Sequence, residues 1–119
     1  MYYVNMEIRD NNNICIITPL STRLDGRKTD KIIARLLNEQ RVVGLDLSYV
    51  QDCTIDFIDA IKGLIDKNLG VFNINSDMFV LFNMMNLDKC VMLFVTESDF
   101  EHGARQLINR KFSLLQKKA

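Results

Sequence analysis

The apolar residues of this chain fall into short runs that favour strands, separated by longer stretches in which they recur at helical spacing. The first two runs, Tyr2–Ile8 and Ile14–Thr18, predict an opening hairpin. The Asp10–Asn13 segment between them is rich in asparagine, which accepts the positive φ angles of a tight turn. Pro19 has no amide hydrogen to give to a ladder, so the second strand ends there and a polar loop, Leu20–Lys28, follows.

Three further strands are predicted downstream. Val42–Leu47 is almost continuously apolar, which is typical of a strand covered on both faces by helices. The others are Val71–Ile74 and Cys90–Val95.

Two helices are predicted in the first half of the chain. Thr29 or Asp30 can cap the first, whose apolar face is formed by Ile32, Ile33, Leu36 and Leu37. The second helix should end near Asn68 and Gly70. Its buried stripe is Phe57, Ile58, Ile61, Leu64 and Ile65.

Two more helices are predicted in the second half. Ser76 or Asp77 can cap a third helix that runs to Asn86 and is apolar almost all round, so we expect it to be deeply packed. Thr96 and Asp99 resemble a capping box at the start of the fourth helix, Glu97–Arg110.

The predicted order is ββαβαβαβα, an α/β chain with a mixed sheet and about four helices, and no repeat or linker divides it, so residues 1–119 should form one domain. Fifteen basic residues balance fifteen acidic ones, a formal net charge of +0 that favours neither nucleic acid nor an anionic membrane as partner. No export segment or membrane-spanning run is present, which predicts a cytoplasmic protein without membrane insertion.

The chemistry-bearing residues are sparse. Cys15, Cys53 and Cys90 are far apart and lie in or beside apolar runs, the pattern of small buried thiols rather than of a disulfide or metal site. Cys53 and the single histidine, His102, have no supporting motif for nucleophilic catalysis, and no glycine-rich phosphate loop is present. We therefore expect no enzyme, no cofactor and no bound metal.

Three segments in this order resemble STAS domains, the module of bacterial anti-sigma-factor antagonists. They are RLDGRKTDKI (Arg23–Ile32), VVGLDLSYV (Val42–Val50) and FNMMNLDKCVMLFVTESDF (Phe82–Phe100). The resemblance implies a four- or five-stranded sheet with helices on one side. It also implies a non-enzymatic role in partner switching, in which an anti-sigma factor with kinase activity phosphorylates a serine or threonine at the start of the second helix.

The family's usual Asp-Ser-Ser-Gly signature is absent at that helix start, and two alignments are open. If the family's aspartate lies at Asp52, the phosphoacceptor position falls on Thr54. An ungapped count from Asp46 instead puts Thr54 at the aspartate position and Asp56 at the acceptor position. The ungapped count is favoured, because it also places the helix isoleucines on core-facing positions.

The two alignments predict different behaviour. A phosphate on Thr54 would meet helix amides but also Asp52, Asp56 and Asp59, which repel it. Asp56 at the acceptor position would be a fixed negative charge and would make a permanent rather than a switchable binder. A purely structural interpretation stays open, since Thr54 or Asp52 can simply cap the helix and Asp25 can shape an Asp-Gly turn.

The predicted partner-binding surface joins the Arg23–Gly26 loop, the helix start and the next helix cap. Its candidate residues are Arg23, Asp25, Asp52, Thr54, Asp56, Asp59 and Ser76. The partner implied by the resemblance is an anti-sigma factor, a serine kinase or a related regulator, and a homodimer is also open. One alternative is a STAS-like subunit of a transporter or larger assembly, bound constitutively.

A second alternative is a receiver-like switch that is phosphorylated on Asp46, an aspartate in an apolar strand. That chemistry needs further acidic ligands to hold Mg²⁺ through oxygens, and the segment Ile14–Leu20 supplies none. We expect Asp46 to bond backbone groups at the end of its strand instead.

Overall fold

The computed structural model describes residues 5–117, and side chains as far as residue 108. The strands are β1 (Met6–Asn11), β2 (Ile14–Pro19), β3 (Arg23–Leu24), β4 (Val42–Asp46), β5 (Asp52–Cys53), β6 (Leu69–Phe72) and β7 (Met92–Leu93). The helices are α1 (Gly26–Leu37), α2 (Ile55–Lys62), α3 (Ser76–Met84) and α4 (Glu97–Lys117), with a 3₁₀ turn at Leu87–Lys89. The start of the predicted first strand and the last two residues of the proposed single domain lie outside the described residues.

Five strands form a mixed sheet in the order β1-β2-β4-β6-β7, in which β1 is antiparallel to β2 and the other neighbours are parallel. The predicted hairpin is confirmed, and Asn12 and Asn13 take positive φ angles of 46° and 73° in its turn. Two strands were missed. β3 and β5, each two residues long, pair in parallel as a separate small sheet, and elements this short leave no periodicity in the sequence.

Helices cover both faces of the main sheet. Cys15 and Ile17 of β2 join the large apolar core beneath α1, α2 and α3, while Ile14 and Ile16 face a smaller core. Phe100 and Ala104 of α4 close that smaller core. The expectation of helices on one side is therefore wrong, because alternate residues of a strand point to opposite faces and both sets here are apolar.

Two strand glycines accommodate α4. An added Cβ at Gly44 would lie 2.6 Å from the Phe100 ring and 2.9 Å from the Phe72 ring, and one at Gly70 would lie 2.6 Å from Phe100. The Phe72 and Phe100 rings stack with centroids 5.2 Å apart. The bare backbone of these glycines is what lets an aromatic ring lie directly on the sheet.

The N-cap of helix α1 lies four residues before Thr29, the first of the two predicted caps. Asp25 is its N-cap, and its side chain makes no capping bond. Thr29 lies inside the helix, and its buried hydroxyl finds no hydrogen-bond partner among the described residues. Asp30 is likewise an exposed helix residue, and Leu37, predicted to be buried, is exposed in the last turn.

Helix α2 is shorter than predicted. It ends at Lys62 with Gly63 as its C-cap, so Ile65 falls outside it and is exposed. Asn68 precedes β6, and Gly70 lies inside that strand rather than at a helix end. The strand Leu69–Phe72 thus begins two residues before the predicted one.

Among the helices, α3 differs most from its prediction. Its cap is Asn75 rather than Ser76 or Asp77, and it ends at Met84 instead of Asn86. Only Met78 and Phe82 are buried, so the expectation of a helix packed all round is wrong. The side of α3 that carries Met78 and Phe82 packs in the larger core, and the opposite side is exposed.

The final strand and helix also differ in length. β7 keeps only Met92 and Leu93 of the predicted strand, and a 3₁₀ turn, Leu87–Lys89, precedes it. Thr96 accepts a hydrogen bond from the amide of Asp99 at 3.1 Å, which confirms the capping residue of α4. The helix continues to Lys117, well past the predicted end. Over the described part of the chain, none of the helices is both long and apolar enough to cross a membrane.

Candidate functional site

The start of helix α2 is held beside the loop that precedes α1. Three backbone hydrogen bonds make this connection. The amides of Gln51 and Asp52 donate to the carbonyl of Thr22 at 2.7 and 3.2 Å, and the amide of Thr54 donates to the carbonyl of Leu24 at 3.0 Å. They extend the β3–β5 ladder on both sides. Because backbone ladders are rigid, the loop carrying Arg23 and Asp25 has a fixed position next to α2.

The start of helix α3 belongs to the same edge. The side-chain amide of Asn75 donates to the carbonyl of Gln51 at 2.8 Å, and its oxygen accepts from the amide of Met78 at 2.9 Å. Asn75 therefore caps α3 and fastens it to the segment before β5. Ser76, exposed at the first position of α3, is brought next to this segment.

Thr54 is the residue that caps α2. Its Oγ1 accepts a hydrogen bond from the amide of Phe57 at 3.4 Å, and the side chain is half-buried. Asp52 does not cap; it lies two residues earlier and forms an exposed ion pair with Arg23 at 2.8 Å. Such exposed pairs contribute about 0–1 kcal/mol, so this contact fixes geometry more than stability.

Three carboxylates lie exposed around this cap. Asp52, Asp56 and Asp59 all face solvent, and Arg23 is paired with the first of them. We call these three aspartates, together with Arg23, Asp25, Thr54 and Ser76, the acidic edge. A phosphate on Thr54 would be stabilised by the amides of the first helical turn and destabilised by repulsion from the surrounding carboxylates.

Two apolar residues that sequence reasoning did not assign to the site are exposed here. Ile55 is 59% exposed at the first position of α2, and Tyr49 is 56% exposed in the segment after β4. The exposure of Ile55 could have been predicted from its spacing, because Ile55 does not lie on the helix face formed by Phe57, Ile58 and Ile61. The acidic edge therefore combines negative charge with accessible apolar surface.

Asp46 is not one of the acidic-edge residues and is buried at the end of β4. Oδ1 accepts from the Ser48 amide and from the Asn73 side chain, both at 3.0 Å, and Oδ2 accepts from the Thr18 hydroxyl at 3.1 Å. Arg9 approaches the same carboxylate at 3.9 Å. The expectation that Asp46 bonds the backbone at its strand end is confirmed by the Ser48 amide. The side chains of Thr18 and Asn73 also donate to it, so both carboxylate oxygens have hydrogen-bond partners.

The thiol and the imidazole considered for catalysis are not arranged as a catalytic pair. Burial, and then the charge of Asp52, raises the pKa of Cys53 to about 11, so the thiol is protonated at neutral pH. His102 is exposed on α4, across the sheet from α2. Of the three free cysteines, Cys15 is buried and the other two are half-buried, which confirms the thiol prediction in part. Among the described residues, no cluster of three or more acidic, histidine or cysteine side chains could hold a metal ion.

The sequence matches no family model and no curated protein. Solved structures do resemble it. An anti-sigma factor antagonist from Mycobacterium paratuberculosis superposes with a TM-score of 0.74 at 15% identity, over 87% of this chain and 95% of that one. An anti-sigma-factor antagonist (STAS) domain protein from Planctomyces limnophilus gives 0.71 at 13% identity, over 84% and 97%. The chain has a STAS-like fold.

A third similar structure comes from a much larger protein. The murine Slc26a9 anion transporter superposes with a TM-score of 0.62 at 17% identity, over 82% of this chain and 18% of the transporter. The STAS-like fold of this chain is thus shared with a free-standing antagonist and with part of a transporter. Similarity at these identities establishes the fold, and the function has to be argued from the residues of the acidic edge.

Proposed function

We propose that this chain is a non-enzymatic, cytoplasmic regulatory module of the anti-sigma-factor-antagonist type, which binds a protein partner through the acidic edge. The observation that supports this most is the exposure of Asp52, Asp56 and Asp59 around the capped start of α2. Exposed carboxylates at a rigidly held helix start are available to a partner and cost no reorganisation on binding.

The chemistry of the edge indicates what the partner offers. Ile55 and Tyr49 supply apolar area, and the surrounding aspartates favour lysine or arginine at the rim of the partner's surface. An anti-sigma factor, a serine kinase or a related regulator with a basic rim around an apolar pocket fits these requirements.

Thr54 is the phosphoacceptor candidate of this proposal. Its hydroxyl is half-buried at the helix start, where phosphate would be favoured by the amides and opposed by the acids. If Thr54 is modified, the edge gains charge and the partner changes. If it is not, Asp56 supplies a permanent negative charge and the module stays bound to one partner.

The test of binding uses the purified anti-sigma-factor kinase of the source organism and titration calorimetry. We expect Asp56→Lys and Asp59→Lys each to weaken binding by about 10- to 100-fold, because opposite charges at a close pair become like charges. Asp66→Lys is the matched control, since Asp66 is an exposed acid beyond the other end of α2. An equal loss in the control, or unchanged binding in both edge variants, would contradict the proposal.

The test of modification adds ATP and locates phosphate by mass spectrometry. Thr54→Asn is the informative variant, because asparagine caps helices as well as threonine does but has no hydroxyl to phosphorylate. Phosphate on the wild type that is lost in Thr54→Asn supports a switchable binder. No phosphate on the wild type supports a permanent binder. Hydroxylamine-labile label on Asp46 would instead support the receiver-like alternative.

The second candidate function is that of a constitutively bound subunit of a transporter or larger regulatory assembly. The similarity to part of Slc26a9 favours it. In that case the same charge-reversal variants should reduce co-purification with the assembly, while the kinase should bind neither the wild type nor the variants.

A further inference from the structure

The small β3–β5 ladder has one face toward the core and one toward solvent. Leu24 is buried in the larger core, and Cys53, which pairs with it, packs against the same core. Successive residues of a strand point to opposite faces, so Arg23 and its pair Asp52 lie on the outer face. Their side chains are 54% and 58% exposed, in agreement with this placement. The outer face of the ladder therefore carries one cation and one carboxylate in register.

Thr54 continues this outer face beyond Asp52. Its backbone is still extended, with φ −83° and ψ 161°, and its amide donates to the carbonyl of Leu24 at 3.0 Å. Residues two apart in an extended segment lie on the same face, about 7 Å from each other. Arg23 already reaches across the ladder, where its Nη1 lies 2.8 Å from Oδ2 of Asp52. Its long side chain can therefore also reach a phosphate that projects from Thr54.

We propose that Arg23 is an exchangeable counter-ion, which pairs with Asp52 in the unmodified protein and with the phosphate when Thr54 is phosphorylated. This exchange rests on the proposed function, in which Thr54 is the phosphoacceptor. In that reaction Oγ1 of Thr54 forms a bond to the γ-phosphorus of ATP, and the bond between that phosphorus and the departing ADP breaks. The hydroxyl proton passes to a base of the kinase.

The exchange is driven by the difference in charge between the two anions. A phosphate on Thr54 carries about −1.5 to −2 charges at pH 7, more than the single charge of the Asp52 carboxylate. Phosphate also accepts two parallel hydrogen bonds from one guanidinium group. Within the acidic edge Arg23 is the only basic residue, so Asp52 loses its cation when Arg23 turns to the phosphate. Modification then presents a partner with a new phosphate and a newly released carboxylate.

The test introduces phosphothreonine at position 54 during translation, so it needs neither the kinase nor the binding partner. Phosphorus-31 NMR then follows the loss of the second phosphate proton as the pH rises. Arg23→Gln should raise the midpoint of this titration by about 0.5 pH unit, because a neighbouring cation favours the dianion. Lys89→Gln is the matched control. Lys89 is an exposed cation before the amino end of β7, whereas α2 follows the carboxyl end of β4, a strand of the same parallel direction.

A second measurement follows the guanidinium group itself. Asp52→Asn should shift the NMR resonance of the Arg23 Nε–H group in the unmodified protein and leave it in place in the phosphorylated protein. The proposal is overturned by a titration midpoint that Arg23→Gln does not change, by an equal change in Lys89→Gln, or by a response to Asp52→Asn that persists after phosphorylation. A kinase that leaves Thr54 unlabelled would contradict the proposed phosphoacceptor and would not alter these results.

Discussion

The two faces of the main sheet are covered in different ways. On one face, α1, α2 and α3 bury a broad core of aliphatic and aromatic side chains, including Phe57, Ile58 and Ile61 of α2. On the other face, α4 covers a smaller core, in which the Phe100 ring lies on the bare backbone of Gly44 and Gly70 while Ala104, Leu107 and Ile108 add apolar contacts.

Polar contacts along the sheet edge complete the attachment of α4. Arg9 of β1 donates from Nη1 to Glu97 at 3.2 Å, and Asn11 donates to Glu101 at 3.0 Å. The first face therefore depends mainly on the amount of apolar surface, and the second depends more on the close fit of Phe100 against two glycines, together with charged contacts. The second should be the more sensitive to small changes of shape.

Gly44→Ala should test this difference with the largest effect. The added methyl group would lie within 3 Å of two buried rings, and such overpacking costs about 1–3 kcal/mol of unfolding free energy. Urea denaturation measures the change. Gly26→Ala is the matched control, because nothing lies within 4 Å of a Cβ at Gly26. Equal stability of the two variants would mean that Phe100 does not lie on Gly44.

Glu39→Gln should reveal an electrostatic contribution on the α1 side of the sheet. Glu39 is buried and accepts hydrogen bonds from Arg41 at 2.8 Å and Arg35 at 3.2 Å. The bond from Arg41 is the main cause that holds the pKa of Glu39 far below its ordinary value of 4.5, against the effect of burial. Loss of these charged hydrogen bonds should cost about 2 kcal/mol at pH 7.

The pH dependence of the stability lost in Glu39→Gln tests whether the pKa of Glu39 is lowered in the folded state. A lowered folded-state pKa means that the stabilisation by Glu39 is fully present above pH 4.5 and declines as the pH falls toward the folded-state pKa. The difference between wild type and Glu39→Gln should therefore shrink from pH 5 down to about pH 2. A difference that stays constant over this range would show that the carboxylate is not held by its arginines.

The smallest effect is expected at the polar edge of α4. Arg9 and Glu97 are partly exposed, and the coupling free energy of such a pair is about 0.5–1 kcal/mol. A double-mutant cycle with Arg9→Gln and Glu97→Gln, measured at low and high salt, should give this value and a decrease with salt. A coupling near zero at low salt would mean that the Arg9–Glu97 pair does not contribute to the attachment of α4.

Sequence reasoning worked where a pattern reports burial directly. The strand at Val42 was predicted to be covered on both faces, and it lies at the centre of the sheet. The asparagine turn and the Thr96 cap were also found, because each depends on a few adjacent residues. Thr54 and Asp52 could not be told apart as caps, since either side chain suits the position and only the structure shows which one reaches the Phe57 amide.

The misses share one physical cause. The apolar run of α3 indicates burial on every side, yet burial depends on which neighbours the fold provides, and α3 has them on one side only. For the acidic edge, the sequence located its residues in three separate segments. Their approach depends on long-range backbone and Asn75 hydrogen bonds that no local pattern records.

The sequence by itself determined the order of the main strands and helices, the balance of charge and the cap of α4, because these follow from local spacing and side-chain chemistry. The tertiary structure alone decided that α4 covers the second face, that β3 pairs with β5, and that Phe79, Val80 and Met84 stay in contact with solvent. Each of these depends on contacts between residues distant in the chain, which a linear pattern does not specify.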